Sequence, residues 1–213
     1  MRRGIPFVVS APSGTGKTTV CRAVVDRDPG IAHSVSHTTR PPRAGERDGV
    51  HYHFVSEKAF RALVERKAFV EFAEYGGYLY GTSAEQLDAA LARGTDVLLE
   101  IDVQGAEQIH ARRPDARLIF LLPPSKRELE RRLHGRGSDA PEVVERRLAL
   151  AERELEAVHL FDYVVVNDDL ERAIAEVREI LAAERDGRAG EARARHGRAA
   201  VLKLVAPRFD NPR

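Results

Sequence analysis

The stretch Ala11-Pro12-Ser13-Gly14-Thr15-Gly16-Lys17-Thr18 constrains this chain more than any other part of it. It follows an apolar run, Ile5-Pro6-Phe7-Val8-Val9, and precedes Thr19-Val20-Cys21-Arg22-Ala23-Val24-Val25, which reads as a helix. A strand, a glycine-bearing loop and a helix opening on Lys-Thr form the phosphate-binding P-loop arrangement. Gly14 and Gly16 can adopt backbone angles that other residues resist, so successive N–H groups can turn inward around a phosphate. The helix starting near Lys17 adds its positive end at the same point. Lys17 can reach the β- and γ-phosphates, and the Thr18 hydroxyl can ligate Mg²⁺. Ser13, Gly14, Thr15, Gly16, Lys17, Thr18 and Thr19 are therefore candidate residues of a nucleoside triphosphate site. The first motif position holds Ala11 rather than glycine, a small residue that the turn tolerates. Alone, the loop does not say what receives the phosphate.

Composition narrows the class. With 213 residues, 43% of them hydrophobic, the chain can bury a substantial core, so one main domain with small subdomains or a tail is expected. A net charge of +1 gives no global basic field of the kind nucleic-acid binders carry. The single cysteine, Cys21, cannot form an internal disulfide, which suits a reducing, cytoplasmic setting. The N-terminal apolar run is short and leads into the P-loop, so a cleaved targeting segment is not expected. No apolar run is long enough to span a membrane.

Along the chain, apolar runs at Val97–Asp102, Arg117–Leu122 and Asp162–Asn167 read as buried parallel strands, each followed by a helical pattern. Strands alternating with helices predict an α/β fold, a P-loop-type parallel sheet core flanked by helices. Between the first helix and residue 84 the pattern changes. Strands are expected over 34–39, 50–55 and 69–75, with Gly76-Gly77 as a hairpin turn. Residues 34–83 thus read as a small β-rich insertion, and 4–33 with 84–184 as the core. A lid is expected at 132–141, followed by an amphipathic helix from Pro141 spaced by Val144, Leu148, Ala151 and Leu155. The basic tail, 185–213, reads as a loosely ordered or separately docked appendage of unassigned role. Its arginines are not regularly interleaved with aromatic stacking residues, which argues against a nucleic-acid arm.

Four features bear on the acceptor. Thr39-Arg40-Pro41-Pro42-Arg43 sets two guanidiniums beside a rigid turn, and arginines recognise phosphate by bidentate hydrogen bonds. Tyr52 and Tyr80 lie on flanking strands, where their hydroxyls could complete a phosphate cage. Glu71 stands among Phe69, Val70 and Phe72, and a carboxylate there needs a partner. Guanine offers two adjacent N–H donors on its pairing edge, whereas adenine lacks that pair. Glu100-Ile101-Asp102 puts two carboxylates on one side of a strand end. Taken singly, the arginines read equally as surface charges, the tyrosines as packing residues and Glu71 as solvent-facing; the combination argues for a site.

Ser36-His37-Thr38-Thr39-Arg40-Pro41-Pro42-Arg43-Ala44-Gly45-Glu46 resembles the signature of guanylate kinases. Phe69-Val70-Glu71-Phe72-Ala73, Tyr80-Gly81-Thr82, Glu100-Ile101-Asp102-Val103-Gln104-Gly105, Arg132-Leu133-His134-Gly135-Arg136-Gly137 and Val166-Asn167-Asp168-Asp169 are similar to that family's other motifs, in the same order. The resemblance covers residues 4–184 and not the tail. It implies ATP-dependent phosphorylation of GMP to GDP, with Mg²⁺ as cofactor and ATP as co-substrate. By the same resemblance Arg40, Arg43, Tyr52 and Tyr80 hold the GMP phosphate, and Glu46 braces the arginine pair. Ser36, Glu71, Thr82 and Asp102 read the guanine, and Glu100 joins the GMP-binding set while approaching Mg²⁺ through water. Thr18 would ligate the metal directly. Arg132, Arg136 and Arg147 match arginines brought to the ATP phosphates, and Asn167 matches a position at the adenine site. Lys17, Arg40, Arg43, Arg136 and Arg147 are the expected catalytic residues. Thr82 stands where serine is frequent, and Glu100 where aspartate is common.

The acceptor phosphate is already ionised near neutral pH, so the reaction needs alignment and charge neutralisation rather than a general base. Partners expected are ATP and GMP, with dGMP admitted because nothing obviously reads the 2′-hydroxyl. No nucleic acid or membrane is expected, and a homo-oligomer is left open. The alternatives are a kinase acting on TMP, UMP or AMP, an inert guanylate-kinase-like interaction module, and a nucleic-acid-dependent ATPase. Glu71 and Asp102 argue against the first, the intact Gly16, Lys17 and Thr18 against the second, and the net charge against the third.

Overall fold

The computed structural model describes residues 2–134 and 141–209, with the backbone alone at 141–144, 146–147 and 206–209. The central strand is β1 (Pro6–Ser10), whose five residues are all buried. Around it lie β2 (Ile31–His33), β7 (Asp96–Glu100), β8 (Arg117–Leu122) and β9 (Tyr163–Val166), in the order β2-β7-β1-β8-β9. Every pair in this sheet is parallel, with Val9 opposite both Glu100 and Ile119. The alternation of the strands divides the core into two faces. Phe7 and Val9 pack with α1 (Lys17–Asp26) and α7 (Leu170–Arg185), burying Val20, Val24, Ile174, Val177 and Ile180. Val8, Leu99 and Phe120 pack on the other face against Ala106 and Ile109 of α4 (Val103–Arg112), with Phe161 closing that side. Each fully buried large apolar side chain there contributes roughly 2 kcal/mol.

A second sheet, ordered β4-β3-β6-β5, is built from β3 (His37–Thr38), β4 (His53–Phe54), β5 (Phe69–Tyr75) and β6 (Tyr78–Ser83). β5 and β6 form an antiparallel hairpin over Gly76 and Gly77, whose φ angles of 62° and 81° suit glycine in both turn positions. Helix α2 (Glu57–Glu65) is capped by the Ser56 hydroxyl and buries Phe60 against Phe69. The return to the core runs through Ser83, which caps α3 (Ala84–Ala92). Helices α5 (Lys126–His134) and α6 (Pro141–Glu156) follow β8, and a short 3-10 turn, Ala157–Leu160, leads into β9.

The structure departs from the sequence reading in three places. The strand expected over 34–39 shortens to β3 in the insertion, and an unexpected strand, β2, precedes it in the core sheet. Buried Ile31 draws the chain beside β7, and the Ser34 amide bonds to the Leu98 carbonyl before the chain leaves. The strand expected over 50–55 shortens to β4, because the Asp48 carboxylate accepts the Phe54 N–H at 2.8 Å and holds the preceding residues in a turn. Over its described residues the tail is docked on the core rather than loosely ordered. It forms α8 (Ala189–His196) and α9 (Arg198–Phe209), with Ala192 in one core face and Val201 and Val205 in the other. A Cβ on Gly197, between these helices, would lie 2.3 Å from the Arg193 carbonyl oxygen, so the corner requires glycine. Residues 135–140 of the expected lid, Arg136 among them, lie outside the described residues, as does the side chain of Arg147. No described helix is long and apolar enough to cross a membrane.

The β2–β7 edge is fastened by a buried carboxylate. Asp96 accepts from the Arg2 guanidinium at 2.7 and 2.9 Å, from the Ile5 amide at 2.8 Å, and from Arg185 at the end of α7. Asp96→Ala leaves two guanidiniums without this partner and should lower unfolding free energy by about 3 kcal/mol in urea denaturation. A change below about 1 kcal/mol, the value of an exposed pair, would contradict that assignment.

Candidate active site

The cavity of interest opens at the carboxyl ends of β1 and β7, where a parallel sheet places its ligands. It measures about 320 Å³ and is lined at one end by Ser13, Gly14, Gly16, Lys17, Thr18 and Thr19, and at the other by Ser36, Tyr52, Glu71 and Tyr80. The P-loop and the insertion therefore face one continuous space.

At the P-loop end, Gly14 and Gly16 have φ angles of 90° and 96°. Gly16 precedes α1 without any side-chain cap, so the first amides of that helix remain open to a ligand. The Lys17 ammonium donates to the Ile101 carbonyl at 2.5 Å. The Thr18 hydroxyl donates to the Glu100 carboxylate, and the imidazole of His33 lies 3.4 Å from the other Glu100 oxygen. Burial raises the pKa of Glu100, but His33, Lys17 and Thr18 outweigh it and hold the carboxyl below its usual range. Thr15 points away from this arrangement: its carbonyl accepts from Asn167 at 2.6 Å and from Arg132 at 3.2 Å. Arg132 also donates to the Asn167 carbonyl at 3.1 Å. Arg132, expected at the ATP phosphates, and Asn167, expected at the adenine site, here brace the loop, and neither lines the cavity.

At the insertion end the arginine pair divides. Arg40 is buried, donates both to Glu46 (2.8 and 2.9 Å) and to the Pro41 carbonyl (2.9 Å), and lies 5.4 Å over the Tyr52 ring. Glu46 also accepts the Arg43 amide at 2.7 Å, while the Arg43 side chain stands in solvent. The Arg40 guanidinium pulls the Glu46 carboxyl down to about 2. Tyr52 and Tyr80 meet edge to face at 5.9 Å.

Glu71 is 3% exposed, contrary to the solvent-facing position it would take as an isolated strand carboxylate. A register shift in β5 between Phe69 and Glu71 turns Glu71, Ala73 and Tyr75 toward the cavity and leaves Phe72 37% exposed instead. Burial, together with the nearby Asp102, lifts the Glu71 carboxyl to about 7 against the opposing pull of the Thr82 hydroxyl and amide. Thr82 is buried beside it and lies 3.4 Å from the Ser36 hydroxyl. Asp102 caps α4 through the Gly105 amide at 2.9 Å and lines the cavity. A Cβ on Gly105 would come within 2.6 Å of the Glu71 carboxylate, so that carboxylate lies against the bare backbone of α4.

Sequence reasoning missed Glu154, whose Oε2 accepts the Ser13 amide at 3.1 Å inside the same cavity. The signal was a carboxylate set between Ala151 and Leu155 in the apolar stripe of α6. It also missed His33. Cys21 lies on the buried face of α1 and packs in the core, as its small size predicts.

The Glu71 environment makes a direct prediction. Its carboxyl carbon, assigned by comparison with Glu71→Gln, should titrate near pH 7 in an NMR series, because burial favours the neutral acid. A midpoint below pH 5 would show that water reaches it.

Comparisons with known proteins agree on one family. The model of the guanylate kinase family matches residues 3–184. Guanylate kinase of Neisseria meningitidis is 54% identical over 180 residues, covering 84% of this chain and 88% of the relative. That of Thermus thermophilus is 55% identical over 192 residues, covering 89% and 87%. The crystal structure of guanylate kinase from Anaplasma phagocytophilum superimposes with a TM-score of 0.72 at 34% identity, over 86% of this chain and 87% of that one. With its P-loop, parallel core and β-rich insertion around one cavity, the chain belongs to the guanylate kinase family.

Proposed function

We propose that this chain catalyses ATP + GMP ⇌ ADP + GDP by in-line phosphoryl transfer, with ATP at the P-loop end of the cavity and GMP at the insertion end. The observation that carries this reading is the buried Glu71 carboxyl sharing one cavity with the P-loop. Guanine's two adjacent N–H donors can satisfy that carboxylate, and a base lacking the pair leaves a buried charge unpaired. Ser36, Thr82 and Asp102 surround it with further polar groups.

Arg40 binds the GMP phosphate. Glu46 and the Tyr52 ring already fix its guanidinium plane, so little side-chain freedom is lost on binding. Arg43, with its backbone held by Glu46, swings in from solvent, and the Tyr52 and Tyr80 hydroxyls complete the phosphate site. Lys17 leaves the Ile101 carbonyl for the β- and γ-phosphates, and the P-loop amides hold the donor in line. Arg136 and Arg147 neutralise charge on the moving group, while Arg132 and Asn167 keep Thr15 and the loop rigid from behind. No residue needs to abstract a proton, since the acceptor oxygen is already ionised.

The residues present fit Mg²⁺. Thr18 and Glu100 meet as a hydroxyl and an ionised carboxylate, the hard oxygen donors that this cation takes. When bound, it would supply charge neutralisation between the β- and γ-phosphates, with Thr18 as direct ligand and Glu100 acting through water. Closure of residues 34–83 and of the lid over both substrates excludes water, which would otherwise compete as acceptor. A single buried cysteine suits work in the cytoplasm.

The test is ADP release with GMP, dGMP, AMP, UMP and TMP offered separately. GMP and dGMP should turn over, and the other three should be disfavoured roughly ten-thousandfold in kcat/KM. Arg40→Ala should raise KM for GMP about a hundredfold, the cost of removing one partner of a buried charge contact. Best turnover with a pyrimidine nucleotide would overturn the acceptor assignment.

A further inference from the structure

Glu154 has no part in the transfer described above, yet it lies at the donor end of the cavity. It is near the end of α6, is 6% exposed, and accepts the Ser13 amide at 3.1 Å. Its charged neighbours are few. Lys17 faces it from α1 and Asp102 from the start of α4, and they act in opposite directions. The Lys17 ammonium is bonded to the Ile101 carbonyl, and among the described residues no cation lies within ion-pair distance of Glu154. On α6 itself Arg147 stands two helical turns earlier, with its side chain outside the described residues. The P-loop amide is thus the one strong polar contact described for a carboxyl that is otherwise buried.

A triphosphate carries several negative charges into this space. An ionised carboxylate beside it, in a site with little water, repels it strongly. The protonated acid does not. It keeps its carbonyl oxygen as acceptor for the Ser13 amide and gains an O–H that can donate to a phosphate oxygen.

From this geometry we propose that Glu154 is a proton-linked positioning residue of the donor site: it takes up a proton from solvent when a triphosphate enters the P-loop, and its ionised form opposes entry. The proposal rests on the reading of this end of the cavity as the ATP site. Burial has already done part of the work, lifting the carboxyl to about 7 before any ligand arrives. The free protein is therefore split between the two forms at neutral pH, and the triphosphate selects the protonated one. The sign follows: affinity is greatest below pH 7 and falls as pH rises above it. The same contact ties the P-loop to α6, so the helix that carries Arg147 senses what occupies the loop.

The experiment is calorimetric binding of a non-hydrolysable ATP analogue with Mg²⁺ to the wild type and to Glu154→Gln, each in buffers of different ionisation enthalpy. Glutamine keeps the acceptor for Ser13 and cannot ionise, and proton changes on the analogue are common to both proteins. At pH 7 the wild type should take up about half a proton more than the variant. Between pH 7 and pH 8 its affinity should fall about fivefold more. Equal proton uptake in the two proteins would overturn the proposal, as would a variant that binds more weakly by the same factor at both pH values, which marks a mere structural brace. A wild-type affinity that is flat from pH 7 to pH 8 overturns it without reference to any variant. Failure of both proteins to bind the analogue would instead sink the donor-site reading, and the proposal with it, while GMP-dependent changes in Glu71 would still report on the acceptor end.

Discussion

The site depends on the left-handed backbone at Gly14 and Gly16 and on what is pressed against it. A Cβ at Gly14 would meet Leu133 of α5 at 2.9 Å, and one at Gly16 would meet the Asn167 amide after β9 at 2.9 Å. Glycine is thus required twice over, for the backbone angles and for the close approach of α5 and the β9 end. Asn167 and Arg132 then clamp the Thr15 carbonyl between them. A loop whose amides must converge on a phosphate cannot hold that shape by itself. Here two separate segments, α5 after β8 and the chain after β9, brought beside the loop by the parallel order of β1, β8 and β9, hold it before any ligand arrives.

The acceptor end is built by a different principle. Its small sheet cannot bury much surface alone, and it docks Val70 of β5 against the core beside α4. That docking places a carboxylate, Glu71, against the bare backbone of Gly105, with no ion-pair partner among the described residues. The price is an acid that burial holds near neutrality until a ligand with paired donors appears. Glu46 is the opposite case: the Arg40 guanidinium keeps it ionised throughout, and its task is to hold an arginine still. The cavity therefore uses carboxylates in two ways, as fixed braces where a cation is at hand and as responsive groups where none is.

How much of this was legible follows from the range of each interaction. The strand, P-loop and helix at 6–26 were readable because the apolar run, the glycines and the Lys-Thr pair act within a few residues of one another. The Gly76-Gly77 hairpin was readable for the same reason. The three-residue strand β2 was not, since so short an edge strand shows no periodicity and depends on its pairing with β7. Nor was the burial of Glu71, which follows from a one-residue register shift that alternation cannot reveal. The helices α8 and α9 were not read because α8 carries only one buried apolar residue, Ala192, and the short apolar run of α9 gains its meaning only where Val201 and Val205 meet the core. Arg132 and Asn167 were singled out only by resemblance, at the ATP phosphates and the adenine site, because their contacts with the Thr15 carbonyl span 117 and 152 residues of sequence, beyond the reach of any local pattern.

The central claim is that a buried carboxyl chooses the base by requiring two donors. The measurement that reaches it most directly is the ratio of kcat/KM for GMP over inosine monophosphate, which lacks only the exocyclic amino group, in the wild type and in Glu71→Gln. The account predicts a strong preference for GMP in the wild type, about a hundredfold or more for one unmade hydrogen bond to a buried charge, and its collapse in the variant. A preference that survives intact in Glu71→Gln would mean that guanine is read elsewhere, and the account of the acceptor end would be wrong.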